Sequence, residues 1–311
     1  MQKTCRSPFL DSYFALTANL GTHTFFMTAL PICFWCGYPE VGVALVHMLA
    51  MGVYSSGFAK DMVCLPRPLS PPLQRITMSG STALEYGFPS THTTNAVSVA
   101  LFCLHKLYLS RDAYSDTAYT LLCIGCCSYA LSITLGRMYC GMHGFFDVVF
   151  GGLLGALIAL IRIVYGTAFD SWILGGDWMR PAIAVLVLAV SVRIHPEPAD
   201  NCPCYDDSVA FAGVVMGIEI GIWNNAQRIL PDVVSWPAMY PFTNGDLLIS
   251  AARIVGGIVV IFMWRALMKS LLLCYLPPVY RFVDHWGLRI PRRYFLQSRY
   301  DVTTSIKRAQ C

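Results

Sequence analysis

The stretch Gly136-Arg-Met-Tyr-Cys-Gly-Met-His-Gly-Phe-Phe-Asp147 separates two long apolar runs and places three chemically active side chains between them. His143 and Asp147 are four residues apart, so on a helix they share one face. The carboxylate can then hold one imidazole nitrogen and leave the other free to attack or to accept a proton. Arg137 offers a planar set of donors to an anion in front of that histidine. The stretch therefore predicts a site for an anionic substrate at the edge of an apolar bundle.

The composition around this stretch is that of an integral membrane protein. Of the 311 residues, 56% are hydrophobic and 13% are charged, whereas a soluble domain carries about 25% charged residues. Helices are the expected spans, because they satisfy their own backbone hydrogen bonds in lipid. The pattern predicts an all-α, polytopic bundle in the lipid bilayer. The eight predicted spans cover residues 20–37, 41–59, 93–110, 117–136, 145–166, 181–194, 208–226 and 247–275.

Eight spans would place three polar segments and both termini on one face of the membrane. The segments are 60–92, 137–143 and 193–207. The basic residues of the C-terminal tail, 277–311, favour the cytosolic face by the positive-inside rule. The charge pattern thus favours a cytosolic site. The same basic residues suit a membrane surface, and we expect no nucleic-acid partner.

The first polar segment supplies two fixed cations. Lys60 ends a span, and Arg67 follows it within a turn that prolines stiffen. Phosphate oxygens require such donors, and an arginine can bind them in a bidentate manner. The alternative is that both side chains reach outward to lipid headgroups.

The sequence Glu85-Tyr-Gly-Phe-Pro-Ser-Thr-His92 has the pattern of a helix start, with Ser90 or Thr91 as the N-cap. The unpaired N–H groups and the positive dipole end of that helix would form an anion site. His92 lies in the first turn and could donate a proton to a leaving oxygen as a general acid. The alternative is a lone interfacial histidine beside a cap.

We expect neither a metal nor another cofactor. No group of carboxylates or histidines has the spacing of a magnesium or zinc site, and the 13 cysteines show no disulfide framework. Cys202-Pro-Cys204 is too isolated to indicate a metal centre. If phosphate is the substrate, the three basic side chains and the helix end must neutralise it, and His143 is the candidate for attack.

Three motifs, in order and spacing, resemble those of the type 2 phosphatidic acid phosphatase superfamily. They are Lys60-x6-Arg67-Pro68, Pro89-Ser90-x-His92 and Arg137-x5-His143-x3-Asp147. The resemblance implies a six-helix catalytic core with about two extra C-terminal transmembrane helices. The implied domains are an amphipathic lead-in at 1–19, the core at 20–195, the additional helices at 196–276 and a basic tail at 277–311.

Within the superfamily, two segments resemble the sphingosine-1-phosphate phosphatase branch: residues 85–92 and the stretch from Asp206 to Glu219. Thr91 stands where the superfamily usually has glycine, and the same threonine occurs in the sphingoid branch. Gly136 stands where serine usually precedes the arginine, which removes a possible hydroxyl contact. The resemblance also implies an endoplasmic reticulum protein with a site that faces the lumen, in conflict with the charge pattern.

The resemblance implies a role for each motif residue. His143 would attack phosphorus and form a phosphohistidine, Asp147 would orient its imidazole, and His92 would protonate the departing alkoxide before water hydrolyses the intermediate. The equatorial oxygens would be held by Lys60, Arg67, Ser90, Thr91 and Arg137.

Glu219 lies in the middle of the seventh predicted span, where an acid is costly and usually functional. We hypothesise that Glu219, or the pair Asp206 and Asp207, binds the ammonium of a sphingoid phosphate. The alternative is a structural role in packing the extra helices on the core.

Three functions fit these patterns. The leading one is hydrolysis of long-chain base 1-phosphates, and the second is a broader lipid or isoprenoid phosphate phosphatase. The third, of another class, is a transporter or binding protein on the same fold. The complete set of His92, His143 and Asp147 favours an enzyme, because binding alone needs no nucleophile. The patterns leave the oligomeric state open.

Overall fold

The computed structural model describes residues 6–77, 84–198, 202–229 and 247–286. Within these ranges the chain folds into nine α-helices, which confirms the all-α prediction. The helices are α1 Pro8–Ala18, α2 His23–Trp35, α3 Pro39–Val63, α4 Thr91–Leu109, α5 Asp116–Tyr139, α6 Phe145–Leu174, α7 Met179–Ile194, α8 Cys204–Ile229 and α9 Leu247–His285.

Five of the described helices are long and apolar enough to cross a membrane, namely α3, α5, α6, α8 and α9. Each of the eight predicted spans contains a helix, but three fall short of this standard. α2 has 13 residues and α7 has 16, so at 1.5 Å per residue α7 reaches only about 24 Å across a hydrocarbon core of roughly 30 Å. α4 has 19 residues but begins with two polar turns. The protein is a multi-pass membrane protein.

α3 is the central helix of the bundle. In its most apolar 18-residue stretch 67% of the residues are buried, compared with 6% in α5. It packs against α2, α4, α6 and α8, and its Val43 and Leu49 are fully buried. α5 instead turns most of its apolar surface outward, where lipid tails would cover it. The centre of α3 therefore forms the core, and the site lies at its C-terminal end.

Two glycines bring α6 against the start of α4. A Cβ atom at Gly151 would lie 2.7 Å from the carbonyl oxygen of Ser90, and one at Gly155 would come closer still to that of Thr94. The hydroxyl of Thr94 donates to the carbonyl of Gly151 at 3.0 Å. Small residues four apart allow this approach of two helix backbones within a membrane. The packing fixes the two helix starts, which carry His92 and Asp147, relative to one another.

The N-terminal helix α1 packs against α5. The hydroxyl of Tyr139 donates to a carboxylate oxygen of Asp11 at 2.7 Å. The ring of Phe14 covers Gly136, where a Cβ atom would lie 2.9 Å from the ring. The glycine that stands in place of serine at this position therefore makes room for Phe14.

α9 belongs to a separate compact unit and is described by itself. It extends over 39 residues and continues through Pro277 and Pro278. The predicted boundary between the additional helices and the basic tail falls inside this helix. Residues 287–311, which hold most of the basic tail, lie outside the described residues.

Candidate active site

Four helix ends meet at one edge of the bundle: the C-terminal ends of α3 and α5 and the N-terminal ends of α4 and α6. This arrangement follows from up-and-down helices joined in sequence. It brings together four buried side chains, those of Lys60, Arg67, Arg137 and His143. The three cations and the histidine of the predicted phosphate site are thus in one place.

His143 is held as a neutral imidazole with one nitrogen free of hydrogen. Its Nδ1 lies 2.7 Å from the carbonyl oxygen of Gly87, so Nδ1 carries the hydrogen and donates it. Its Nε2 accepts from Nη1 of Arg67 at 3.0 Å. Burial, and then the charges of Arg67 and Arg137, lower the pKa of His143 well below its ordinary 6.5. Neutral imidazole, whose Nε2 keeps its lone pair, is the form that attacks an electrophile.

Asp147 does not make the hydrogen bond to His143 that the spacing predicts. Its Oδ2 lies 3.8 Å from Nδ1 of His143, which is an ion-pair distance but too long for a hydrogen bond. The same oxygen accepts from the backbone N–H of Gly144 at 2.7 Å and caps α6. The carbonyl of Gly87 therefore sets the tautomer. Sequence reasoning missed it because a backbone carbonyl leaves no residue-type signal.

Glu85 lies between two of the cations. Its Oε2 accepts from Nζ of Lys60 at 2.7 Å and from Nη2 of Arg67 at 3.3 Å. Its backbone carbonyl accepts from Nε of Arg67 at 2.8 Å. Burial opposes ionisation, but the charges of Lys60 and Arg67 outweigh it and keep the pKa of Glu85 below its ordinary value. This carboxylate sits where an anion between the cations is expected. Sequence reasoning gave it no role, although it opens the segment 85–92 that contains the second motif.

Arg137 carries donors that no described group satisfies. The side chain is 4% exposed, and neither its Nε nor its Nη2 has a hydrogen-bond partner within the described part of the chain. A buried donor without a partner is costly. Counted with Lys60 and Arg67, three cations face the carboxylates of Glu85 and Asp147, which leaves one positive charge in surplus. The geometry is that of a site prepared for an anion.

Ser90 is the N-cap of α4, as predicted, and its Oγ accepts from the backbone N–H of Thr93 at 3.4 Å. Its own N–H donates to the carbonyl of Asp147 at 2.9 Å. Thr91 Oγ1 lies 2.8 Å from the hydroxyl of Ser56 on α3. The His92 ring lies against Gly21, where a Cβ atom would be 2.7 Å from its Cδ2. The second motif is therefore tied to both α3 and α6.

The three acids proposed for the substrate ammonium lie at different depths. Asp206 and Asp207 are in the first turn of α8, next to Cys204, which packs against Tyr86 beside the anion site. Glu219 instead contacts His47 of α3. His47 precedes Lys60 by 13 positions, which corresponds to roughly 20 Å along a helix. The structure does not bring Glu219 to the anion site.

One group of side chains in the described ranges has the geometry of a metal site. Ligand atoms of Asp61, Cys202 and Cys204 lie within 4.8 Å of one another. Cys202 and Cys204 are joined by a disulfide, which the sequence did not predict. Because thiolates bind metals and disulfide sulfurs are a poor substitute, this group offers one carboxylate. It does not fit a metal in its oxidised state.

Comparison with known proteins supports the family. The sequence profile of the PAP2 superfamily matches residues 41–170. A dihydrosphingosine 1-phosphate phosphatase of Schizosaccharomyces pombe is 40% identical over 90% of this chain and 67% of its own length. A dihydrosphingosine 1-phosphate phosphatase of Saccharomyces cerevisiae is 40% identical over 72% of this chain and 55% of its own length. Human sphingosine-1-phosphate phosphatase 2 is 28% identical over 83% of this chain and 64% of its own length.

The chain thus spans about two thirds or less of the length of these curated relatives. No solved structure matches it significantly. The level of identity, the profile match and the three motifs gathered at one edge of the bundle agree with one another, and the chain belongs to the PAP2 superfamily.

Proposed function

We propose that this chain is a membrane phosphatase that hydrolyses long-chain, sphingoid base 1-phosphates to the free base and phosphate through a phosphohistidine. One observation carries the proposal. Nε2 of a buried, neutral His143 faces Arg67 inside a cluster of three buried cations. The names of the relatives supply the substrate class. The cationic lining would repel a metal ion, which supports a mechanism without one.

In the first step the substrate phosphate displaces the Glu85 carboxylate from Lys60 and Arg67 and takes up the unpaired donors of Arg137. Nε2 of His143 attacks phosphorus, and the bond from phosphorus to the alkoxide oxygen breaks. The alkoxide takes the electron pair and receives a proton from His92. Fixed cations stabilise the charge on the equatorial oxygens throughout, because they need no reorganisation.

In the second step water attacks the phosphohistidine. His92, now neutral, accepts a proton from that water, and the electrons of the phosphorus–nitrogen bond return to Nε2. While the phosphoryl group is attached, the imidazole of His143 is positively charged. Asp147, 3.8 Å from Nδ1, stabilises this charge, and the Gly87 carbonyl keeps the ring in place.

We assign the substrate ammonium to Asp206 and Asp207. Both lie at the same edge of the bundle as the cations, since their helix begins beside Tyr86. Ser90 and Thr91 act at the helix start, where backbone N–H groups and the Thr91 hydroxyl approach the phosphate. Glu219 is left out of this step because of its depth.

We place the site on the lumenal side of the endoplasmic reticulum membrane. The disulfide between Cys202 and Cys204 lies at the edge of the bundle that carries the site. Disulfides persist in oxidising compartments and are rare in the cytosol. The disulfide therefore supports a lumenal site, whereas the basic tail favours a cytosolic one. An N-glycosylation acceptor engineered into the exposed loop at Leu69 should be modified. A fully unmodified chain in cells would contradict this placement.

The test of the function is phosphate release by purified His143→Ala beside the wild type. We expect a loss of at least about 1,000-fold, because a covalent mechanism has no route without its nucleophile. His105→Ala, on α4 but outside the site, is the matched control and should keep full activity. Activity that survives in His143→Ala would defeat the mechanism and favour a binding protein or transporter.

The substrate class is tested on the same wild-type enzyme. Dihydrosphingosine 1-phosphate should be hydrolysed with a higher kcat/KM than phosphatidate or an isoprenoid phosphate. Asp207→Asn should lower kcat/KM for the amine-bearing substrate and leave that for phosphatidate unchanged. Equal kcat/KM for all three substrates would favour the broader lipid phosphatase.

A further inference from the structure

A cavity separate from the anion site lies within the membrane-spanning part of the bundle. It has a volume of about 640 Å³ and is bounded by α3, α6, α7 and α8. Small-molecule sites in proteins typically have volumes of about 300–1,000 Å³. Its wall is mainly apolar, and two of its rim residues, Tyr165 and Val187, are exposed on the outer surface. The cavity therefore opens toward the region where lipid tails lie.

A chain of charged side chains forms one end of the cavity. Arg162 pairs with Asp170, and its Nη1 lies 2.8 Å from Oδ1 of that aspartate. The same Nη1 lies 3.2 Å from Nδ1 of His47. Arginine can only donate, so Nδ1 of His47 accepts and its Nε2 carries the hydrogen. That Nε2 then donates to Oε1 of Glu219 at 2.5 Å.

This chain has no cation left to pair with Glu219. Arg162 is already paired with Asp170, and a histidine that accepts at Nδ1 and donates at Nε2 is neutral. An ionised Glu219 would therefore need a counterion from outside the chain. Glu219 is fully buried, and its Oε2 has no hydrogen-bond partner among the residues that the structure describes. Intramembrane acids are costly and are usually paired, so this oxygen indicates a missing cation.

We propose that this cavity binds a single-chain amphiphile with a primary ammonium group. The ammonium pairs with Oε2 of Glu219, and the hydrocarbon chain lies along the apolar walls that α6 and α7 supply. A metal ion is a poor occupant, because hard cations require about six oxygen ligands and the lining offers a single carboxylate. An ammonium needs one anion and leaves its chain in contact with the apolar wall.

The occupant is a different molecule from the substrate whose phosphate lies on Arg137. In a sphingoid base 1-phosphate the amine is on the carbon next to the one that bears phosphate. It cannot reach Glu219, which lies at the level of His47, roughly 20 Å from Lys60 along α3. A free long-chain base has the proposed chemistry. The inference rests on the proposed function only in that the reaction would release such a base beside the cavity.

The experiment measures binding rather than turnover. Its result can therefore be interpreted even if the protein does not hydrolyse sphingoid base 1-phosphates. Purified His143→Ala protein in lipid nanodiscs is titrated with radiolabelled octadecylamine, and octadecanol supplies the same chain without the amine. We expect octadecylamine to bind at least tenfold more tightly than octadecanol. Adding Glu219→Gln should weaken binding of the amine by at least tenfold and leave octadecanol unchanged. Glu197→Gln, which changes an exposed acid on the loop after α7, is the matched control and should change neither.

Equal binding of octadecylamine with and without Glu219→Gln would overturn the proposal, as would equal affinity for the amine and the alcohol. If Glu219→Gln does not fold, Ala184→Trp decides. Ala184 lies on the α7 wall of the cavity and packs against an apolar cluster. The larger ring should fill the cavity and abolish amine binding with Glu219 intact. Retained binding in a folded Ala184→Trp protein would place the amine elsewhere.

Discussion

The two halves of α6 pack in opposite ways. Near its N-terminus, Gly151 and Gly155 bring it into backbone contact with α4. In its C-terminal half, Tyr165 and Phe169 face α7 across the cavity, and the two helices have few contacts. The tight half carries Asp147, beside the proposed nucleophile His143, and the open half carries Arg162 and Asp170 of the ionic chain that ends at Glu219. One helix thus combines a rigid catalytic end with an open end suited to binding.

Breaking the backbone contact between the N-terminal half of α6 and α4 should abolish most of the phosphatase activity. Gly155→Leu would force a side chain into the carbonyl of Thr94, so we expect at least a 100-fold loss of phosphate release, with reduced yield of folded protein. Gly152→Leu is the matched control, because a Cβ atom there meets nothing within 4 Å. Activity assays and thermal melts of both variants measure the difference. Equal behaviour of the two variants would show that the close approach does not position the site.

Glu85, in the loop before α4, allows a substitution with a smaller effect, which should tighten phosphate binding rather than abolish activity. Its carboxylate occupies the cations that the substrate phosphate must take. Glu85→Gln should therefore bind inorganic phosphate several-fold more tightly, measured as a lower inhibition constant. It should also melt at a lower temperature without phosphate, because Lys60 and Arg67 lose a buried counterion. Added phosphate should restore much of the lost melting temperature.

Two results would contradict this account of Glu85. Weaker phosphate binding in the variant would mean that the carboxylate organises the cations for the substrate rather than competing with it. An unchanged melting temperature would mean that it does not neutralise them. Glu197→Gln, at an exposed acid, is the control for a general effect of removing one negative charge.

The smallest expected effect is on the melting temperature at low pH. The folded protein holds the pKa of His143 well below 6.5, whereas the unfolded chain binds a proton near that value. The unfolded state therefore gains protons first as the pH falls, and stability is lost below about pH 6.5. His143→Asn removes this contribution, so its melting temperature should fall a few degrees less than the wild type between pH 7 and pH 5. Equal decreases would show that His143 is not held neutral.

The sequence identified most of the side chains that form the site, but it gave Glu85 no role and predicted a hydrogen bond from Asp147 to His143 that is not made. The spacings of Lys60, Arg67, Arg137 and His143 identified residues that the fold does gather, and Ser90 was identified as a candidate cap. The Gly87 carbonyl could not be predicted, because any residue type supplies a carbonyl. The depth of Glu219 depends on how α8 pairs with α3, which the hydropathy pattern of either helix does not encode. For the same reason the sequence showed an intramembrane acid but not its partner, His47.

For the membrane spans as well, the sequence predicted local features but not how the helices pack together. Hydropathy located a helix within every predicted span, because apolar runs are local features. It did not distinguish α3, most of whose apolar stretch is buried by protein, from α5, which faces outward. It also assigned full spans to α2 and α7, which are shorter than a membrane crossing requires. The positions of α2 and α7 follow from how they pack on the other helices and not from their hydropathy.

The central claim is that Nε2 of His143 forms a bond to phosphorus, and trapping that bond tests it most directly. Purified enzyme is mixed with a sphingoid base 1-phosphate labelled with radioactive phosphorus and quenched in alkali, which preserves phosphohistidine. The account predicts a labelled peptide with the phosphoryl group on His143 in the wild type and no label in His143→Ala. Label on another residue, or rapid turnover with no label on His143 at any quench time, would contradict it.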